Sequence, residues 1–249
     1  MSTFGVDIPL SHSSISTYDE CPHKFKQQYI VRVPKKPKYF FSFGQSLHST
    51  MEFFYAESKP PTLEALMAAY DIRWIDEGYR CTKHMAECYA EGRDLTKKFW
   101  EKHAPTYKQP LQVELKFKLK VGGVLMTGKI DRIDKKKDGL LVLDYKTGKM
   151  FDTKRILTDE QLTLYQIATE ATLKQKVDTL ALYHLPTLCA IGARRRKPAL
   201  VKALETKIRK VAKLITEEKY PTKPDETRCK WCDHRDSCPE HRVGVKEAF

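Results

Sequence analysis

The sequence predicts an α/β (α+β) fold, in which helices flank a central mixed sheet and a helical extension precedes that sheet. Three observations predict this class: helical periodicity over the first hundred residues, three consecutive strand patterns after them, and then helices alternating with one more strand. We expect a single domain over residues 1–249, with a helical part at 1–109, a core at 110–218 and a short cysteine-rich segment at 219–249.

The N-terminal part is expected to be helical because apolar residues recur every three or four positions between proline and glycine breaks. Ser13 and Ser14 can cap the first of these helices, and Thr62 can cap the third. The predicted helices cover residues 13–30, 44–57, 62–75 and 85–103. Pro22 can kink the first of them or begin a new helix.

Apolar and charged residues alternate between Val113 and Val121, as in a strand with one buried face. Turn signals follow at Gly122-Gly123 and at Asp138-Gly139. The predicted elements here are an antiparallel meander of strands at 113–121, 124–133 and 140–146, a helix capped by Thr158 or Asp159 and reaching 173, a strand at 178–185, a basic loop at 194–197 and a helix at 199–218.

The charge of the chain points to a polyanionic partner. There are 45 Lys and Arg residues against 32 Asp and Glu residues, a formal net charge of +13, which favours nucleic acid or an anionic membrane surface. No run of about 18 apolar residues and no signal-peptide pattern is present, so we expect a cytoplasmic protein without a membrane partner. No phosphate-binding loop is present, so any helicase motor is expected on another protein.

Two predicted strands carry carboxylates and a lysine. Asp144 and Lys146 are two residues apart and share a strand face, and Asp131 on the preceding strand can lie beside them. Such carboxylates make an oxygen-rich site that suits Mg²⁺ or Mn²⁺, and a neighbouring lysine can orient an attacking water. The same residues also fit exposed cross-strand salt bridges, but Asp131, between Ile130 and Ile133, needs a partner if it is buried.

The chain resembles PD-(D/E)XK nucleases, in particular their RecB-like branch, in two segments: Gly-Lys-Ile-Asp-Arg-Ile-Asp at 128–134 and Leu-Asp-Tyr-Lys-Thr-Gly-Lys at 143–149. The resemblance covers roughly residues 13–242. It implies that Asp131, Asp144 and the backbone carbonyl of Tyr145 bind the metal, and that Lys146 assists the attacking water.

Two further motifs match the RecB-like branch. Gly-Gln-Ser-Leu-His at 44–48 implies that His48 is another metal ligand. Gln161 and Tyr165 match a Gln-x-x-x-Tyr motif, whose i, i+4 spacing puts both side chains on one helix face. The resemblance implies that this pair contacts substrate or the water of the active site.

Candidate DNA contacts and one further carboxylate surround these motifs. Arg132 and Lys149 are candidate phosphate contacts, and Tyr165 is a third DNA contact through the resemblance. The aromatic run at 39–43 can stack on unpaired bases or belong to the core. Glu114 can support the site from behind its ligands or lie exposed at a strand end.

The C-terminal cysteines Cys229, Cys232 and Cys238 are spaced closely enough to converge on one metal centre. The residues alone leave the fourth ligand open, because His241 would complete a zinc site and Cys21 could also join. The resemblance to iron–sulfur nucleases of the AddB and CRISPR-associated adaptation kinds implies Cys21 and a [4Fe–4S] cluster. That cluster would have a structural role.

The resemblance thus implies a metal-dependent DNA nuclease. In its fullest form the hypothesis is an exonuclease acting on single-stranded DNA ends with Mg²⁺ or Mn²⁺, stabilised by a [4Fe–4S] cluster, with a helicase or other DNA-processing protein as partner. One alternative is a nucleic-acid-binding or partner-docking module with a structural zinc or iron–sulfur site and no cleavage. Another is a nuclease that is active only within a complex.

Overall fold

The computed structural model describes residues 9–150 and 152–244, with side chains described through residue 241. The predicted class is confirmed: a five-stranded mixed sheet has the order β1-β2-β3-β4-β5 and is flanked by helices. The two ends of the predicted domain, 1–8 and 245–249, lie outside the described residues. The strands are β1 Gln112–Val121, β2 Val124–Lys136, β3 Gly139–Lys146, β4 Val177–His184 and β5 Cys189–Arg194.

Helices make up most of the chain outside the sheet. Within the described residues, no helix is long and apolar enough to cross a membrane. The α-helices are α1 His12–Glu20, α2 Pro22–Phe25, α3 Tyr39–Phe54, α4 Leu63–Arg73, α5 Thr82–His103, α6 Glu160–Leu173, α7 Pro198–Thr216, α8 Glu226–Cys229 and α9 Pro239–Gly244.

The sheet is mixed because its connections differ. A two-residue turn joins β1 to β2, and Gly122 and Gly123 have φ values of +58° and +85°, as a tight hairpin turn requires. The predicted antiparallel pairing of β2 with β3 is confirmed. The helix α6 then carries the chain across the sheet, so β4 runs parallel to β3.

The strand β5, which pairs antiparallel with β4, was not predicted. It is six residues long with Gly192 in its middle, a composition that gives little strand signal. It includes Arg194, which we predicted to lie in a basic loop. The next arginines turn inward: Arg195 pairs with Glu170 at 2.8 Å, and the buried Arg196 donates to the carbonyl of Leu157 at 3.0 Å. Arg195 and Arg196 therefore have partners within the protein.

The first predicted helix, 13–30, differs from the structure at its start and is interrupted at Cys21. It begins earlier, because Ser11 caps it: the Ser11 hydroxyl accepts from the backbone N–H of Ser14 at 3.1 Å, and the Ser14 hydroxyl accepts from that of Ser11 at 2.8 Å. It ends at Glu20, because Cys21 is extended, and Pro22 starts a new helix, which confirms the second of the two roles predicted for this proline. A π-helical turn, Lys26–Val31, follows.

The second predicted helix, 44–57, starts too late. The helix α3 begins at Tyr39 and ends at Phe54, so the aromatic run lies within it. Phe43 faces the core, whereas Phe40 and Phe41 are 49% and 66% exposed. The run therefore contributes one ring to the core and leaves two rings free to contact a ligand, which fits both of the roles that the sequence left open.

The chain forms two compact units. The first comprises the described parts of Met1–Lys36, Lys118–Gly128 and Lys202–Phe249. In it, the Tyr18 hydroxyl donates to the carbonyl of Lys219 at 2.5 Å, which ties the N-terminal helix to the C-terminal segment. A single domain over the whole chain stays a prediction.

The second unit comprises Pro37–Phe117 and Lys129–Val201. Its core is largely aromatic, and Phe54, Tyr70 and Phe99 are almost fully buried. These rings come from helices α3, α4 and α5. They pack in one cluster with residues of β3 and β4, such as Tyr145. Burial of large aromatic side chains makes this unit a rigid base for the polar residues at the strand ends.

Gly92 marks the closest approach of α5 to α4. A Cβ atom there would overlap the Tyr70 hydroxyl and lie 2.7 Å from its Cζ. We therefore expect Gly92→Ala to lower the free energy of unfolding by about 1–3 kcal/mol, although alanine is the better helix former. Urea unfolding measures this. Gly148→Ala is the matched control, because nothing lies within 4 Å of its Cβ. Equal or higher stability of Gly92→Ala would contradict the packing described here.

Candidate functional site

The strands β2 and β3 part at a pair of buried aspartates. Their pairing runs from Lys136–Gly139 to Arg132–Leu143, and the next residue on each strand is Asp131 or Asp144. The Oδ2 atom of Asp131 accepts the backbone N–H of Tyr145 at 2.8 Å. A side chain thus takes the place of a backbone partner, and both carboxylates lie at the opening between the strands.

Two more side chains meet Asp131 at this opening. The Nδ1 atom of His48, on α3, lies 3.4 Å from Asp131 Oδ2. Ligand atoms of His48, Glu114 and Asp131 all lie within 4.8 Å of one another. Atoms that bind one ion at about 2.0–2.6 Å must lie this close together. The three side chains could therefore hold a single metal ion.

Glu114 reaches the site through an unusual backbone conformation. Its φ is +55°, in the left-handed region that non-glycine residues seldom adopt and that costs free energy. Its side chain is only 10% exposed, so the reading of an exposed strand-end carboxylate is wrong. The alternation along β1 carries no signal for a positive φ. That pattern therefore could not predict that the Glu114 carboxylate lies close to His48 and Asp131.

A chain of polar contacts holds Lys146 beside Asp144. The Nζ atom of Lys146 lies 2.6 Å from Asp144 Oδ2 and donates to Gln161 Oε1 at 2.8 Å. The Gln161 side-chain N–H donates in turn to the Tyr165 hydroxyl at 2.8 Å. Asp159 caps α6 and so fixes the first turn, in which Gln161 lies. Gln161 and Tyr165, the two residues of the Gln-x-x-x-Tyr motif, thus position Lys146.

Burial and neighbouring charges shift the pKa values of the carboxyl groups in the site. Burial raises the pKa of Asp144, the Lys146 ammonium opposes this, and Asp131 adds to it. Burial also raises the pKa of Glu114, against the pull of the Lys129 ammonium. Carboxylates crowded in this way lose repulsion when a cation joins them.

The pKa of His48 moves upward as well. Burial lowers it, but the hydrogen bond and charge of Asp131 and the charge of Asp144 outweigh that effect. The negative charge of the site therefore outweighs burial in its effect on the pKa of His48.

Two carboxylate oxygens in the site keep a lone pair for a further partner. Glu114 Oε2 and Asp144 Oδ2 are buried, and each is ion-paired with one lysine ammonium. A carboxylate oxygen can accept from two partners. Oxygen donors with free lone pairs, together with one imidazole, fit Mg²⁺ or Mn²⁺.

The loop after Lys146 is held in place by His184, which sequence reasoning missed. Its Nε2 lies 2.7 Å from the Gly148 carbonyl oxygen, and its Nδ1 lies 2.9 Å from the Thr187 hydroxyl. A Cβ at Gly44 would lie 2.9 Å from the Thr147 hydroxyl, so α3 closely approaches the same loop. The neighbouring Lys149 is exposed.

Arg132 has partners within the protein. Its guanidinium donates twice to Asp134, at 2.8 Å each, and stacks 4.0 Å from the centroid of the Tyr55 ring. The side chain is 14% exposed. Arg132 therefore uses its donors on Asp134, within the protein. The carbonyl of Tyr145 stays a predicted ligand.

A separate cavity of about 370 Å³ lies in the first unit. Its wall includes the four cysteines that the resemblance groups together, and also His241, the alternative fourth ligand. The backbone N–H of Asp225 donates to Cys229 Sγ at 3.3 Å. The four cysteines, all with free thiols, are Cys21, Cys229, Cys232 and Cys238.

Comparison with known proteins places the chain in a family. A model of the PD-(D/E)XK nuclease superfamily matches residues 9–239. Gene 69 protein of Mycobacterium phage D29 is 23% identical over 273 residues, covering 94% of this chain and 98% of that protein. A solved structure of a "Putative exonuclease" from Eubacterium rectale has a TM-score of 0.56 at 11% identity, covering 97% of this chain and 90% of that one. Likeness at this identity shows a shared fold.

Metal binding should stabilise the protein. At a free Mn²⁺ concentration of about 100 times Kd, we expect about 2.7 kcal/mol of added stability. Asp131→Asn and Glu114→Gln should remove most of this gain, because each deletes a charged ligand, while the carboxamide oxygen in Asp131→Asn can still accept the Tyr145 N–H. Thermal unfolding with Mn²⁺ or EDTA measures the effect. Glu101→Gln, on the exposed surface of α5, is the control. An unchanged Mn²⁺ response in Asp131→Asn would rule out this ligand set.

Proposed function

The chain belongs to the PD-(D/E)XK nuclease superfamily, and from that premise we propose that it hydrolyses phosphodiester bonds at single-stranded DNA ends as an exonuclease. Membership makes it a metal-dependent nuclease with DNA as substrate. The observation that carries the proposal is the approach of His48, Glu114 and Asp131 to within 4.8 Å, beside the Asp144–Lys146 pair. Carboxylate ligands and a lysine at the opening between two strands suit metal-dependent phosphodiester hydrolysis.

We assign the cation to the carboxylates and the imidazole at the opening between β2 and β3. When bound, a divalent cation neutralises charge on the phosphate and lowers the pKa of water. The proposed ligands are His48, Glu114, Asp131, Asp144 and the carbonyl of Tyr145.

Lys146 is the proposed catalytic lysine. Asp144 and Gln161 hold its ammonium from two sides, at 2.6 and 2.8 Å, so the group is preorganised. From there it can orient the attacking water and stabilise negative charge as that charge develops on the phosphate. Tyr165 is 6% exposed and holds Gln161, so we propose that this pair acts mainly through Lys146.

Removing the lysine should slow the chemical step. We expect Lys146→Ala to reduce single-turnover cleavage of end-labelled DNA by about 10²–10³-fold, as for loss of other preorganised donors in active sites. Gln161→Ala should reduce kcat less and leave KM nearly unchanged. Lys97→Ala, an exposed lysine of α5, is the control. Cleavage by Lys146→Ala at the parent rate would contradict the assignment.

The preference for unpaired DNA is supported by the exposed face of α3. Phe41 lies seven residues before His48, which places both side chains on nearly the same face of one helix, about 10 Å apart along its axis. The rings of Phe40 and Phe41 lie 4.5 Å apart and are largely exposed. Exposed aromatic rings near a cation site can stack on unpaired bases, which a duplex does not offer.

Loss of this aromatic surface should weaken binding of single strands. Stacking contributes about 1–3 kcal/mol per base, so we expect Phe41→Ala to raise KM for single-stranded DNA about fivefold or more with little change in kcat. Steady-state cleavage of single-stranded and duplex substrates checks this. Ile72→Ala is the control, because Ile72 is an exposed apolar residue of another helix. An equal KM for parent and Phe41→Ala would argue against stacking.

We further propose that the chain belongs to the iron–sulfur RecB-like branch and holds a [4Fe–4S] cluster in the cysteine cavity. Support comes from the four cysteines that line one cavity. Such a cluster would join Cys21 to the C-terminal segment and stabilise the first unit.

Metal analysis tests the cluster. Cys21→Ser should lose most of its iron and acid-labile sulfide and unfold at a lower temperature, because a ligand from the N-terminal segment is missing. Anaerobic purification followed by iron, sulfide and zinc assays gives the result. Cys81→Ser is the matched control, since Cys81 is exposed and lies outside the cavity wall. Full iron content in Cys21→Ser, or zinc in the parent, would overturn the four-cysteine cluster.

The second candidate function is a DNA-binding module without cleavage. The observation that favours it is His241 in the cavity wall, which keeps a structural Cys₃His zinc site available. DNA binding without metal-dependent cleavage would support this alternative. A requirement for an added DNA-processing partner would instead support the complex-dependent nuclease. A helicase partner and a cytoplasmic location stay predictions.

A further inference from the structure

His234 is buried in the wall of the cysteine cavity without side-chain partners. It is 3% exposed, and neither ring nitrogen has a hydrogen-bond partner among the described groups. A neutral imidazole carries one N–H donor and one acceptor. Leaving such a donor unpaired in a protein interior costs free energy, so the cavity should contain an acceptor for it.

The position of His234 in the chain points to one kind of acceptor. The residue lies between Cys232 and Cys238 in the sequence, and all three residues line the cavity. The Asp225 N–H bonds to Cys229 Sγ at 3.3 Å. A backbone donor therefore already points to a sulfur in this cavity. The unpaired imidazole thus shares a cavity with four cysteine sulfurs, which can accept a hydrogen bond.

We propose that the His234 imidazole donates an N–H hydrogen bond to a sulfur of the metal centre and thereby sets its reduction potential. The inference rests on the proposed iron–sulfur cluster. His234 is a positioning residue here and not a ligand, because the four cysteines complete the ligand set. Its neighbour His23 lines the same cavity, but its Nε2 lies 3.3 Å from the side-chain nitrogen of Gln27.

The physical effect follows from charge. Reduction adds an electron to the sulfur-rich centre, and an N–H donor stabilises the added negative charge. Loss of the donor should therefore make the centre harder to reduce. A residue that only fills space would change stability but would leave the potential unchanged when a ring of similar size replaces it.

The variants are His234→Phe, which keeps a ring and removes the donor, and His234→Gln, which retains an N–H. His23→Phe is the matched control. Iron and sulfide are assayed first, and an anaerobic optical redox titration follows. We expect full iron content in all three, a lower midpoint potential in His234→Phe, at least partial recovery in His234→Gln and no change in His23→Phe. An unchanged potential in a fully loaded His234→Phe overturns the inference.

A second measurement uses the unaltered protein, in case His234→Phe does not fold. Pulsed electron paramagnetic resonance of the reduced protein, labelled with [¹⁵N]histidine, should show a weak nitrogen coupling from a hydrogen-bonded ring. The coupling should persist in His23→Phe. No coupling in a protein with full iron and sulfide overturns the role of His234 alone. A parent without iron and sulfide overturns both this inference and the proposed cluster, so the two failures are distinguishable.

Discussion

The candidate site depends on one hydrogen bond, from the backbone N–H of Tyr145 to the carboxylate of Asp131. It replaces a rung of the β2–β3 ladder where the strands part, and it fixes the carboxylate in a buried position. The same oxygen lies 3.4 Å from His48 Nδ1, so α3 is positioned against the strand opening. Without this bond, an aspartate among apolar residues would lack a backbone partner, and the helix and strands would lose a common point of contact.

The rest of the site has a cost in free energy that the fold must bear. Burial raises the pKa values of Asp144 and Glu114, and Glu114 adopts a left-handed backbone conformation. Buried like charges and backbone strain persist only where the surrounding structure holds them. The aromatic core formed by α3, α4 and α5 provides that support. A bound cation would relieve the repulsion, which links metal binding to stability.

Much of the site could be predicted because it follows regular periodicity. A strand period of two places Asp144 and Lys146 together, and a helix spacing of four pairs Gln161 with Tyr165. Other parts depend on contacts that no period encodes. The inward turn of Glu114 needs a positive φ, and the internal pairing of Arg132 depends on the positions of Asp134 and a tyrosine ring.

In the fold, too, elements with a regular sequence pattern were predicted and those without one were not. Strands with clear alternation were predicted within a few residues, whereas β5, short and interrupted by a glycine, was not. The helix α3 begins before its predicted start because the break that precedes it is Pro37, whereas Gly44 lies within the helix. The convergence of the cysteines on one cavity wall and the burial of His234 are tertiary facts, which spacing alone could not give.

The metal site is best tested by locating Mn²⁺ in crystals of the protein by anomalous scattering. We expect a peak between β2 and β3, within about 2.0–2.6 Å of ligand atoms of His48, Glu114 and Asp131. The peak should be lost in Asp131→Asn. Absence of a peak at this position, in crystals of a protein whose cleavage requires Mn²⁺, would show that these side chains do not form the catalytic metal site.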